Sequence, residues 1–170
     1  SKKGLIDLFY GDETHICSEG YVPYGWQFPE EKVSILVEKG HKINCFGLIS
    51  RTNQFHWATT EQNIDSLFIK GFLDDLSFKI TKDTFLVLDN ASIHRAKIIQ
   101  ELISIWEKRG LYILYLPPYS PELNLAETVW RKMKGQWIDP EDYLEKDSLF
   151  YAVNRFLANL GKNVVINFSG

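Results

Sequence analysis

The chain is predicted to be an α/β protein, a mixed sheet flanked by helices, on three observations. Its early segments are short apolar and aromatic runs, two of them joined by the polar turn "RTN". From Ile64 the apolar period changes to helical spacing. From there on, helical patterns alternate with apolar runs of strand length. An early hairpin followed by helical crossovers implies one antiparallel part and one parallel part of a single sheet.

In order, "GLIDLFYGDETHI" reads as a strand with a break at Gly11, ending near Asp12. "KVSILVE" is a candidate strand, and "KINCFGLIS" and "NQFHWATT" form the hairpin. Ile64, Leu67, Phe68 and Phe72 mark a helix. "TFLVLDN" is a continuous apolar run ended by Asp89 and Asn90, as expected of a strand buried on both faces. In "HRAKIIQELISIWEKRG" the stripe Ile98, Ile99, Leu102, Ile103, Trp106 makes a helix that Lys108, Arg109 and Gly110 stop. "LYILYL" is the next strand. Ala126, Val129, Trp130, Met133 and Trp137 mark another amphipathic helix, and Leu149, Phe150, Val153, Phe156, Leu157 and Leu160 the last.

Composition narrows the class. The 170 residues fit one domain able to bury roughly two thirds of its unfolded surface. With 45% hydrophobic and 24% charged residues the profile is that of a soluble globular protein without a membrane span. The N-terminus has too little apolar length for a secretory signal, and its lack of Met points to an excised piece. Cys17 and Cys45 form no C-x-x-C and read as reduced thiols. His15 with Cys17, or His41 with Cys45, lacks the spacing of a structural zinc site. A net charge of −3 argues mildly against a nucleic-acid partner. That objection weakens if some of the carboxylates hold a divalent ion, which would invert the local field.

The stretch "LPPYSPELNLAETVW" carries the most chemistry. Pro117 and Pro118 end the preceding strand and stiffen its exit, and Pro121 keeps the next residues out of helical geometry. Asn124 is a good N-cap, which places Glu127 at the third helical position. A capping-box role for Glu127 is the bland alternative. On the helical wheel Glu127, Arg131 and Lys134 share the flank beside the apolar stripe, so Glu127 stands at the core's rim. Ligands of such sheets gather at strand ends, and Asp12 and Asp89 each end a predicted strand. Three carboxylates, Asp12, Asp89 and Glu127, suit a hard cation such as Mg²⁺, which takes oxygen ligands and substrate phosphates. Two such ions could serve phosphodiester chemistry. Among 22 acidic residues, spacing alone does not single these three out.

The run "LVLDNASIHRAK…LYILYLPPYSPELNLAETVWRKMKG" resembles the catalytic core of DDE transposases, in the bacterial insertion-sequence branch of the mariner-like superfamily. "FYGDETHI" and "GYVPYGW" are similar to that branch's first-Asp segment and the one after it. D-E, D-N-x-x-x-H and L-P-P-Y-S-P-x-L-N with Glu and x-x-W occur in order, from Leu5 to about Trp137. The resemblance implies a ribonuclease H-like fold and makes Asp12, Asp89 and Glu127 the catalytic metal ligands. It also implies Mg²⁺ or Mn²⁺ as cofactor, two ions being expected. The implied activity is DNA cleavage at transposon ends and 3′-hydroxyl strand transfer into target DNA. Assembly on DNA as a homodimer and a bacterial cytoplasmic setting are implied likewise. Intact relatives carry an N-terminal helix-turn-helix region for end recognition, which is expected to be missing from residues 1–170, a single catalytic domain. Leu125 and Ala126 depart from the family's Asn-Pro-Ile-Glu, but Leu is a good helix former and Glu127 stays in register.

His94 and Asn90 are supporting candidates, His94 for bonding the loop or phosphate side ahead of proton transfer, and Asn90 for turning the chain and orienting Asp89. Glu13, facing opposite to Asp12, and Glu122, in the loop, are expected to be solvated. Trp26, Trp57 and the tyrosines near Tyr21 read as core before base-stacking residues. Two alternatives stay open: a nuclease of the same fold without strand transfer, and an inactive remnant serving as a DNA-binding or dimerisation module.

Overall fold

The computed structural model describes residues 4–18, 40–118 and 120–168. "KVSILVE", Trp26 and the "GYVPYGW" segment lie outside them. Five strands, β1 (Asp7–Cys17), β2 (Lys42–Ile49), β3 (Phe55–Thr60), β4 (Thr84–Leu88) and β5 (Leu111–Tyr115), form one sheet in the order β3-β2-β1-β4-β5. Four helices flank it: α1 (Ser66–Lys79), α2 (Lys97–Lys108), α3 (Leu125–Lys132) and α4 (Lys146–Asn159). β1, β2 and β3 pair antiparallel, whereas β4 runs parallel to both β1 and β5. This is the mixed sheet the element order implies: the crossovers through α1 and α2 deliver the parallel strands, and the β2–β3 hairpin delivers the antiparallel edge.

Both faces of the sheet are covered, and β2 shows how. Its Ile43, Cys45 and Ile49 enter a core built with α3 and α4, including Val129, Trp130, Met133, Val153 and Phe156. Its Phe46 and Leu48 enter the opposite core with Ile69 and Leu73 of α1 and Ile99 and Trp106 of α2. The two-residue period of a strand thus feeds two separate cores from one segment. Burial also pushes the Cys45 thiol up to about 12, so it behaves as a small apolar group, with Lys134 pulling slightly the other way. Neither Cys45 nor Cys17 forms a disulfide.

Three local expectations are corrected. β1 neither breaks at Gly11 nor ends near Asp12; it continues to Cys17. Gly11 pairs with Leu48 on one side and Leu88 on the other, and a Cβ there would stand 2.7 Å from Cδ2 of each. Close packing, and no turn, requires the glycine. Gly11→Ala is therefore expected to cost about 1–3 kcal/mol through overpacking, read as a lower urea midpoint with an unchanged slope. In α1 the buried face is Ile69, Leu73 and Leu76, while Leu67 is 60% exposed, so the helix is rotated relative to the predicted stripe. The residues after Pro121 form a 3₁₀ turn, Pro121–Leu123, before α3 begins.

The helix ends follow the local chemistry. Asp65 caps α1 by accepting from Phe68 N at 2.9 Å. Gly110, at φ +89°, lets the chain leave α2 and enter β5. Asp74 Oδ1 accepts from Trp106 Nε1 at 3.0 Å and from Arg109 Nη1 at 2.8 Å, tying α2 to α1. Trp137 closes a π-helical turn after α3, 41% exposed, with its ring 5.7 Å from that of Phe156.

Candidate active site

Register places the first two carboxylates. Gly11 of β1 pairs with Leu88 of β4 in parallel, so Asp12 and Asp89 are the next residues on neighbouring strands, whose axes lie about 4.8 Å apart. Asp89 lies just past the end of β4. Along β1, Asp12 alternates with Tyr10 and Ile16 on the face covered by α3 and α4. That is the side from which Glu127 approaches.

Glu127 occupies the third position of α3, as expected from the Asn124 cap. The Asn124 side chain accepts from Ala126 N at 3.1 Å, and its carbonyl accepts from Glu127 N at 3.2 Å. Beyond β5, Leu116 N still donates to Leu88 O at 2.8 Å before Pro117 ends the pairing. The result is a cavity of about 450 Å³ whose wall includes Asp89, Asn90, Pro117, Pro118, Asn124 and Glu127. The stiff proline segment therefore forms one wall of the cavity into which Glu127 is held.

Asp12 is not on that wall, but it feels both other carboxylates. Burial, then the charges of Glu13, Asp89 and Glu127, raise its pKa from 3.8 to about 7, against a hydrogen bond from the backbone of Glu13. Lys134 does little to relieve this concentration of negative charge. Its own pKa is lowered by burial, and Cys45 and Asp12 pull it back only in part.

Asp89 sits in the opposite environment. Its Oδ1 accepts from Ala91 N at 3.0 Å and contacts His94 Nδ1 at 2.6 Å. The His94 bond, outweighing partial burial and helped by Ala91 N, holds the carboxyl below the usual Asp range. His94 is wholly buried. It lies in the turn before α2 and not on the helix, which begins at Lys97. Burial works to lower its pKa, but Asp89 and Glu13 outweigh this and hold it at about 9. His94 Nε2 lies 3.1 Å from Glu13 Oε2, a charge contact that is not aligned as a hydrogen bond. Tyr115 Oη donates to His94 O at 2.8 Å, so β5 also steadies this turn.

Asn90 lines the cavity, but its Oδ1 accepts from Arg95 Nη1 at 2.8 Å, so the groups seen bonding Asp89 are Ala91 N and His94. Glu13 is corrected from a solvated carboxylate to the partner of a buried imidazole. The strand alternation was legible, but what waits on the far face depends on how the turn after β4 folds. Glu122 is exposed, as expected. The second bond of Asn124, from Nδ2 to Gly11 O at 2.9 Å, has no signal in the sequence beyond the cap itself.

Among the described residues no group of three or more His, Cys, Asp or Glu side chains is gathered closely enough to hold a metal ion as it stands. The structure places Asp89 and Glu127 on the wall of one cavity and Asp12 within reach of the charge of both, with Oδ1 of Asp89 already committed to His94 and Ala91. The donor set still fits a hard divalent cation. All three side chains offer oxygen, and the burial and neighbouring negative charge that lift Asp12 are what a bound cation would offset.

Comparison with known proteins bears on the family and the fold. Residues 7–149 match the family described as DDE superfamily endonuclease. No curated protein matches the chain. Among solved structures, the Mos1 strand transfer complex superposes with a TM-score of 0.63 at 16% identity, over 94% of this chain and 50% of that one. The catalytic core domain of BIV integrase gives 0.57 at 17%, over 94% of this chain and 86% of that one. The HTLV-2 integrase catalytic core solved in complex with magnesium gives 0.53 at 14%, over 94% and 88%. The chain thus spans about half the length of the Mos1 protein and most of the length of the integrase cores. The fold is the ribonuclease H-like one of transposase and integrase cores, and divalent-metal use goes with the superfamily. With a matching family that spans residues 7–149, most of its length, the chain belongs to the DDE superfamily endonucleases.

Proposed function

We propose that this chain is the catalytic domain of a transposase of the bacterial insertion-sequence, mariner-like branch. It cleaves DNA at transposon ends and transfers the freed 3′-hydroxyl into target DNA. The observation that carries this reading is the family match over residues 7–149, together with Asp12 and Asp89 as register neighbours at the ends of parallel pairing and Asp89 and Glu127 on the wall of one cavity. In this reading residues 1–170 are one catalytic domain. Recognition of the element's ends falls to a helix-turn-helix region outside it, and the protein works as a homodimer on DNA in a bacterial cytoplasm. The Mos1 strand transfer complex supports the reading by fold.

Asp12, Asp89 and Glu127 would hold two Mg²⁺ or Mn²⁺ ions. When bound, paired ions of this kind activate a water or hydroxyl on one side of a phosphodiester and stabilise the leaving oxygen on the other. The chain's own residues supply the placement. His94 and Ala91 N hold Oδ1 of Asp89, which leaves Oδ2 as the oxygen free for a ligand. Pro117 and Pro118 stiffen the part of the cavity wall they form, in the lining that also holds Glu127.

Titration with Mn²⁺, followed by the electron paramagnetic resonance of the free ion, tests the reading. Saturable uptake is expected, strengthening as pH rises through about 7, because the proton on Asp12 competes with the metal. No uptake at pH 8 would overturn it. A strand-transfer assay on pre-cleaved ends separates a transposase from a nuclease that only cuts.

A further inference from the structure

We propose that Asn124 is a positioning residue that fixes the distance between Asp12 and Glu127; this rests on the reading of those carboxylates as metal ligands.

Three groups of Asn124 are used, and each points to one side of the site. Its Nδ2 donates to Gly11 O at 2.9 Å, one residue before Asp12 on β1. Its Oδ1 accepts from Ala126 N at 3.1 Å, one residue before Glu127 on α3. Its carbonyl accepts from the Glu127 backbone N itself at 3.2 Å. Asn124 is only 3% exposed, so these bonds are not exchanged with solvent and losing one strands a buried polar group.

A cap alone does not need this residue. Ser, Thr and Asp satisfy the first turn of a helix about as well, but none of them carries an amide donor beside the capping oxygen. Only a side chain with acceptor and donor on one planar head, at this length, caps α3 and grips β1 together. The grip meets an immobile partner. Gly11 is paired with Leu48 of β2 on one edge and Leu88 of β4 on the other, so the strand is held on both sides and does not follow a displaced helix. Glu127 is exposed, on the flank of α3 beside the stripe of Ala126, Val129 and Trp130 that packs into the core. Asn124 is the tie at the helix's leading end, where the carboxylate is.

Asn124→Ser and Asn124→Thr test this, since both keep the capping oxygen and lose the amide. Expected are a melting temperature within a few degrees of wild type and Mn²⁺ affinity at least tenfold weaker. With the DNA substrate kcat should fall at least tenfold while KM for DNA is unchanged. Mn²⁺ affinity and kcat at wild-type values in both variants would overturn the proposal. So would loss of the folded far-UV circular dichroism in both, which would make Asn124 a structural residue only. A wild-type chain that takes up no Mn²⁺ overturns the metal reading and the proposal with it. Wild-type uptake matched by equal uptake and turnover in the variants overturns the proposal alone.

Discussion

Asp89→Asn is expected to lower metal-dependent strand cleavage by on the order of a thousandfold while leaving the chain folded. The substitution is nearly isosteric and removes one anionic ligand. The native Oδ1 accepts from Ala91 N and contacts His94, and an amide oxygen in the same place can go on accepting both. What is lost is the charge that faces a buried imidazolium, with Glu13 left as its partner. A loss of about 1–3 kcal/mol in stability is therefore expected, well short of unfolding.

The pH dependence of that loss has a definite sign. Asp89 has a depressed pKa, so its stabilising contribution is present above the unfolded Asp value and lost as pH falls through the folded one. His94 has a raised pKa, so its contribution is fully present below its unfolded value of 6.5 and lost as pH rises through about 9. The difference in melting temperature between wild type and Asp89→Asn should be largest between those limits and shrink outside them. Cleavage at the wild-type rate by Asp89→Asn would remove Asp89 from the ligand set.

Asp12→Asn is expected to stabilise the metal-free chain at pH 8 and to abolish its cleavage. Asp12 is the reverse of Asp89: its folded pKa of about 7 lies above its ordinary value of 3.8. Between those values the native state binds the extra proton, so stability falls as pH rises from about 4 to 7, and the full penalty remains above 7. A shift of that size corresponds to about 4 kcal/mol, and an amide that must itself be buried recovers about 2–4 kcal/mol of it. The variant should melt on the order of 5–10 °C higher than wild type at pH 8 in chelator and show no gain at pH 4. Saturating Mn²⁺ should erase the advantage by stabilising the wild type alone. Equal melting at pH 8 in chelator would mean that burial and neighbouring charge do not raise Asp12 in the folded chain. A stabilising substitution that destroys activity marks strain held for function.

Much of this was legible in one dimension because its causes are local. The prolines at 117 and 118 end β5 wherever it pairs, since neither can donate to a ladder. Asn124 caps α3 by contacts within its own turn, and Glu127 follows at a fixed helical offset. "TFLVLDN" reads as a central strand because only burial on both faces suits an unbroken apolar run, and β4 does lie between β1 and β5. The errors are of another kind. Gly11 has the look of a break when only its neighbours Leu48 and Leu88 are unknown. Glu13 looks solvated until the turn after β4 brings His94 beneath it. Leu67 keeps helical spacing, yet the face α1 turns inward is set by what it packs against.

The sequence by itself determined the order of strands and helices, the capped helix that carries Glu127, and the residue types suited to a hard cation. Only the tertiary structure decided that Asp12 lies beside Asp89, that His94 is the residue clasping Asp89, and that Asn124 reaches across 113 positions to the strand of Asp12. The physical reason is that backbone preferences act over a few neighbouring residues. Which distant groups meet, and with what shared charge, follows from strand register and close packing.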